Sequence, residues 1–265
     1  MPQTNGLHYE EHGGGNQGPP LVFVHGAGGS RLHWPPSLRR FPGCRSLAVD
    51  LPGHGDSPAG DEASIDAFAR RLAIWRGVVD VQYPVLVGHS MGSAIALTAA
   101  LAEPAALAGL VLVGAGPRLR VNPQLLENVG RPEAFAAVVD QILTWSFAPE
   151  ADPRMVELAR ARLIETGAAR LASDLRACDA FDVTARLAEI HLPVLIIVGR
   201  NDRMTPPRLG EELRTGLPGA RLQVVEAAGH MVMLERAEAV ATALQSFLED
   251  LPRLHHDDAS AKGVG

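Results

Sequence analysis

Short apolar runs recur along this chain, each bounded by Gly, Pro, Asn or Asp, with stretches of helical spacing between them. The runs lie at 21–24 (LVFV), 45–50, 83–87, 107–113 and 194–198, and the more polar 221–225 (RLQVV) also reads as a strand. Uninterrupted runs of four to seven residues between turn signals are the pattern of strands buried on both faces of a parallel sheet. Between them, Ile65, Phe68, Ala69, Leu72 and Trp75 recur at helical spacing behind Ser64, predicting an N-capped helix over 65–79. The Ala-rich stretch 93–102 has no Gly or Pro and predicts another helix. Shorter helices are expected at 37–41 and 209–213, with a last one at 237–248. A strand at 7–11 follows Asn5-Gly6, a two-residue hairpin signal, with so little chain before it that the sheet edge must be short. Strand–helix alternation of this kind predicts an α/β fold with a mostly parallel central sheet and helices on both faces.

The alternation stops at Gly114-Ala115-Gly116-Pro117. From there to about residue 186 only helical patterns are found, for example at 133–145 and 153–166. Roughly 70 residues without a strand is too long for an ordinary crossover and points to an inserted helical cap. The expected division is a core of 1–116 and 187–252, a cap of 117–186, and a disordered polar tail at 253–265 carrying a solvated His255-His256 pair.

Composition narrows the picture. With 46% hydrophobic and 20% charged residues among 265, a large core is available. A net charge of −6 and the lack of any Lys/Arg cluster speak against a nucleic-acid partner. Lys262 is the only lysine, which reads as coding bias rather than heat adaptation. Cys44 and Cys178 have no metal-like spacing and are expected as free, buried thiols. The polar N-terminus lacks a secretion-signal pattern and no apolar run approaches 18 residues, so a cytoplasmic protein without a membrane partner is expected. Oligomeric state is not legible.

The chemistry centres on Gly88-His89-Ser90-Met91-Gly92, placed between an expected strand and an expected helix. Strand, G-x-S-x-G, helix is a nucleophile elbow: the sharp turn lifts the serine hydroxyl clear of the sheet, and the helix start aims N–H groups at an oxyanion. A serine needs a base, and the base an orienting acid. The run at 194–198 leads into Asp202 and the run at 221–225 into His230, so both fall at strand C-terminal ends on the same sheet edge as Ser90. Asp182 and Glu226 are weaker substitutes for the acid, and no carboxylate follows the strand ending at Gly114. His25, His54 and His89 are expected to be structural, His25 by holding the Gly-rich loop 26–29. No metal-ligand cluster and no G-x-G-x-x-G after a strand is present in the sequence, so no metal or other cofactor is implied.

His25-Gly26, the stretch 50–57 (DLPGHGDS), Gly88-His89-Ser90-Met91-Gly92, Asp202 and Ala228-Gly229-His230 together resemble the α/β-hydrolase superfamily over 7–251. The resemblance implies an oxyanion hole from the backbone N–H groups of Ala27 and Met91. It departs from the family pattern at Ser93, where many relatives carry a second glycine. Ser90 sets aside the branches with an aspartate nucleophile, and the lack of a lysine outside the tail sets aside plant-type hydroxynitrile lyases. The expected function is a carboxylesterase-like serine hydrolase of small acyl esters with a Ser90–His230–Asp202 triad. Thioester, lactone or C–C bond hydrolysis, perhydrolysis, or a slow-turnover small-molecule receptor remain open. Candidate substrate contacts are Gly26, Phe135, Trp145, Phe147, Phe181, Met204 and Met231. Arg118 and Arg120, at the sheet–cap junction, leave open a carboxylate- or CoA-bearing substrate.

Overall fold

A computed structural model describes residues 3–4, 6–13 and 18–252. Eight strands form one sheet in the order β1-β2-β4-β3-β5-β6-β7-β8. These are β1 (Gln3–Thr4), β2 (Leu7–His12), β3 (Leu21–Val24), β4 (Ser46–Val49), β5 (Val85–His89), β6 (Gly109–Val113), β7 (Val194–Gly199) and β8 (Arg221–Val225). β2 runs antiparallel to both neighbours, β1 and β4, and every pairing from β4 through β8 is parallel. Registers such as Val24↔Gly88, His89↔Val113 and Gly199↔Val225 bring the ends of β3, β5, β6, β7 and β8 to one edge.

The uninterrupted apolar runs have a simple physical reading. Leu86, Leu110, Leu112, Val194, Ile196 and Val198 enter one core, while Val85, Val87, Val111, Val113, Leu195 and Ile197 enter the other. Side chains alternate across a pleated strand, so a sheet covered on both faces needs apolar residues at every position. Helices α2 (Ile65–Val78), α3 (Met91–Ala102) and α8 (Pro207–Gly216) pack on the first face. Helices α1 (Pro36–Arg39) and α10 (Ala237–Glu249) pack on the second. Ser64 caps α2, its hydroxyl accepting the Ala67 N–H at 3.2 Å, a contact worth about 1 kcal/mol.

Between β6 and β7 the chain makes four helices, α4 (Pro123–Asn128), α5 (Pro132–Ser146), α6 (Pro153–Thr166) and α7 (Ala168–Asp179). An antiparallel bridge, Arg118↔Asp182, and the Val183 N–H donating to the Pro117 carbonyl at 2.9 Å stitch the two ends of this helical segment together. The short helix α9 (Val232–Glu235) precedes α10.

The differences from expectation have local causes. The strand expected from residue 107 starts at Gly109, because Pro104–Ala106 forms a 3-10 turn closed by the Leu107 N–H. A second 3-10 turn, Arg31–His33, precedes α1 and carries no apolar period to announce it. Thr4↔Leu7 pairing with Gly6 at φ 77° fits the two-residue hairpin, although Asn5 lies outside the described residues. The expected tail, with His255, His256 and Lys262, also lies outside them. Cys44 and Cys178 are both free and buried. Among the described residues no helix is long and apolar enough to cross a membrane.

Candidate active site

Ser90 sits between β5 and α3 with φ 53° and ψ −114°, a conformation that a residue with a Cβ adopts only under constraint. The constraint is visible. Its N–H donates to the Val113 carbonyl at 2.9 Å, and its carbonyl accepts the Ser93 N–H at 2.9 Å and the Ser93 hydroxyl at 2.5 Å. Ser93 therefore ties down the turn. A Cβ on Gly88 would strike the Gly92 carbonyl, and one on Gly92 the Val24 carbonyl, so strand and helix approach this closely only through glycines.

Asp202, after β7, and His230, after β8, are both buried. His230 Nδ1 donates to Asp202 Oδ2 at 2.8 Å. The same carboxylate accepts the Thr205 hydroxyl on Oδ2 and the N–H groups of Met204 and Thr205 on Oδ1, each at 2.8 Å. Four donors fix the carboxylate, and the carboxylate fixes the imidazole tautomer, leaving Nε2 as the ring's acceptor. Ser90 and His230 line one cavity of about 590 Å³.

Three other buried histidines shape this edge. His25 Nδ1 donates to the Gly26 carbonyl at 2.8 Å while its Nε2 accepts the Leu51 N–H at 3.0 Å. Burial, with the nearby His54, pushes its pKa down to about 3, so the ring is a neutral brace. Gly29 N–H also donates to the Gly26 carbonyl, at 3.1 Å. Because the peptide is trans, pinning that carbonyl orients the Ala27 N–H on its opposite side. His89 Nε2 donates to the His230 carbonyl at 3.1 Å, and burial holds His89 well below the ordinary histidine range. His33 lines the cavity, and burial together with Arg162 lowers its pKa to about 4. Among the described residues, no acceptor pairs with the N–H of Ala27 or of Met91.

Of the candidate substrate contacts, Trp145, Phe147, Met204 and Met231 line the cavity. Phe135, Phe181 and Gly26 do not. Phe181, just beyond the end of α7, packs in the first core, and Phe135, on α5, packs against the second. Gly26 backs directly onto the turn, where a Cβ would lie 2.9 Å from His89 Nδ1 and 3.1 Å from the Ser90 Cβ. The wall is largely leucine and isoleucine: Leu125, Ile142, Leu163, Leu171 and Leu175, with Cys178 beside them. Arg118, Arg120, Arg203 and Arg208 line it too, and among the described residues no carboxylate does. Arg118 pairs with Glu212 at 2.7 Å and Arg120 with Asp182 at 3.0 Å. Arg203 and Arg208 escape a sequence reading because they stand alone among unlike neighbours.

Among the described residues one trio, His8, Asp50 and Asp56, has ligand-type atoms within 4.8 Å of one another. Its central carboxylate, Asp50, already accepts the Arg31 and Asp56 N–H groups at 2.7 and 3.1 Å and bears the Arg31 guanidinium. The same guanidinium also meets Asp56 at 2.8 Å and offsets part of the carboxylate charge, so the trio is held as a structural network of the sheet edge.

Residues 21–243 match the family model described as the alpha/beta hydrolase family. A pimeloyl-acyl-carrier-protein methyl ester esterase of Neisseria meningitidis serogroup A is 31% identical over 248 residues, 86% of this chain and 76% of that protein. The structure of a thermophilic esterase superposes with a TM-score of 0.80 at 30% identity, covering 92% of this chain and 98% of that one. The enol-lactonase from Burkholderia xenovorans LB400 superposes with a TM-score of 0.85 at 25% identity, over 92% and 96% of the two chains.

Proposed function

We propose that this chain, which belongs to the alpha/beta hydrolase family, hydrolyses carboxylic esters through an acyl-enzyme on Ser90. The observation that carries the reading is the 2.8 Å bond from His230 Nδ1 to Asp202, beside a serine held on a strained turn in the same cavity. His230 Nε2 takes the Ser90 proton as Oγ attacks the ester carbonyl carbon. The unpaired N–H groups of Ala27 and Met91 receive the oxyanion, with the start of α3 adding its partial positive charge. His230 then gives its proton to the departing alkoxide, which leaves as the alcohol. Water, deprotonated by His230, attacks the acyl-enzyme; the carboxylic acid leaves and Ser90 recovers its proton. The segment 117–186 acts as a cap over this centre, and its leucine wall receives the apolar part of the acyl chain.

The test is a p-nitrophenyl acyl ester series run with Ser90→Ala alongside. Multiple turnovers that disappear in the variant, by roughly 10⁴-fold or more, are expected. A single stoichiometric burst favours a receptor, and release that does not depend on Ser90 rules the esterase out.

The four arginines lining the cavity favour a second, narrower reading: the substrate carries an anionic group. Arg118→Ala and Arg120→Ala should then lower efficiency on a carboxylate-bearing ester about tenfold relative to its neutral analogue. An unchanged ratio removes this reading and leaves the first intact.

A further inference from the structure

Asp174, on α7, has no exposed surface and lies outside the loops that carry Ser90, Asp202 and His230. Its Oδ2 accepts the Gly28 N–H at 2.9 Å and the His54 Nε2 proton at 2.7 Å. Its Oδ1 accepts Arg170 Nε at 2.9 Å and faces Nη2 at 2.7 Å. Burial pushes this carboxyl up, but His54, Arg170 and the Gly28 N–H outweigh it and hold it below the usual carboxylate range. The group is therefore an anion with every lone pair directed.

Gly28 is the residue after Ala27, and the helical segment grips it twice. Asp174 takes its N–H, and the Thr166 hydroxyl, at the end of α6, donates to its carbonyl at 2.8 Å. Its φ of 62° turns the missing side chain toward the segment, where a Cβ would press on Leu163 at 2.8 Å and Leu171 at 2.9 Å. The peptide plane before Ala27 is fixed from the core, by His25 and Gly29 on the Gly26 carbonyl. The plane after Ala27 contains the Gly28 N–H and is fixed from α7.

We infer that Asp174 is a positioning residue for the oxyanion hole, making the aim of the Ala27 N–H depend on α7 being seated. This rests on the reading of Ser90 and Ala27 proposed above. The Ala27 N–H lies in the first plane, and the second plane, by fixing the far side of the Ala27 Cα, keeps the first from rotating; that second hold belongs to an element 146 residues further along the chain. A ligand that lifts or seats α7 would thereby change transition-state stabilisation without touching the triad.

Asp174→Ala and Asp174→Asn, made in the full chain, test this. Asp174→Ala is expected to lower kcat roughly tenfold or more with KM within about threefold, and to weaken an alkyl trifluoromethyl ketone by the same factor as kcat/KM. Asparagine keeps an acceptor for the Gly28 N–H but loses the charge facing Arg170 and His54. It should restore most of kcat and ketone affinity while Tm stays lowered, a split that a merely structural role does not give. Amide exchange at Gly28, followed by NMR, should accelerate about 100-fold in Asp174→Ala. If Asp174→Ala does not fold, Asp174→Ser, polar but too short to reach the Gly28 N–H, carries the same kinetic and exchange readouts. Unchanged Gly28 exchange, or a kcat loss that follows Tm and is not recovered by asparagine, overturns the inference. Absence of Ser90-dependent turnover in the parent would overturn the esterase reading separately, because Gly28 exchange still decides whether Asp174 holds the loop.

Discussion

The two walls of the cavity are built differently. On the sheet edge, the groups that hold Ser90 and His230 in place are paired, while among the described residues the N–H groups of Ala27 and Met91 are left open. Asp202 accepts four donors, His25 uses both ring nitrogens, and the Ser90 carbonyl is held by Ser93. On the opposite wall, the helices present Leu125, Ile142, Leu163 and Leu175, side chains whose contacts are non-directional and interchangeable in kind. Reaction geometry needs directed bonds, whereas accepting an apolar chain needs only volume and dryness. The first wall therefore tolerates almost no substitution and the second tolerates many, provided the volume is kept.

The strongest way to break this contrast is Asp202→Asn. The amide preserves size but upsets the tautomer of His230, and kcat should fall by roughly 10⁴ with Tm close to the parent's. A loss below tenfold would show that Asp202 does not orient the base.

On the other wall, Leu163→Ala should leave kcat for a short acyl ester within about threefold and move preference toward longer chains. Each extra methylene accommodated is worth about 0.8 kcal/mol, roughly fourfold in relative efficiency. If Leu163→Ala instead reduced kcat as severely as Asp202→Asn, the division between the walls would fail.

The smallest effect separates the walls by pH. Burial is the main cause that lowers the pKa values of His25 to about 3, His33 to about 4, and His89 well below its ordinary value. Folded values below the unfolded 6.5 mean that the unfolded chain binds more protons as pH drops. The stability these rings contribute is complete above 6.5 and is lost on acidification toward their folded values, at about 1.4 kcal/mol per pH unit per histidine. Asp174, also depressed, gives up its share only below the ordinary carboxylate range. Urea midpoints from pH 7 to 5 should therefore fall, and His33→Gln should reduce that slope by about one third.

The same contrast explains what was legible in the sequence. Ser90, Asp202 and His230 each follow directly on an apolar run, so a strand pattern and its turn residues locate them within a few positions. The lining of the helical wall carries no such signal. Leu163, on the apolar stripe of α6, faces the cavity, whereas Phe181, in the irregular segment after α7, packs in the core, and nothing in the local sequence separates the two. His33 lies in a 3-10 turn with no period at all. The bond from Gly28 to Asp174 joins two residues that are unexceptional in their own neighbourhoods, a glycine in a loop and an acid on a helix. Its meaning exists only once the chain has folded back on itself.

Cys178 gives the helical wall a use of another kind. Its sulfur lines the cavity on α7, 4% exposed, with its thiol driven up by burial. A shielded thiol is alkylated only during excursions that uncover it, so its labelling rate counts those excursions. Cys44, buried against Gly18 with no part in the cavity lining, serves as the internal standard. Mass spectrometry of the two alkylated peptides would thus register pocket occupancy in the unmodified chain, for any small molecule added, with no chromogenic reporter and no turnover required.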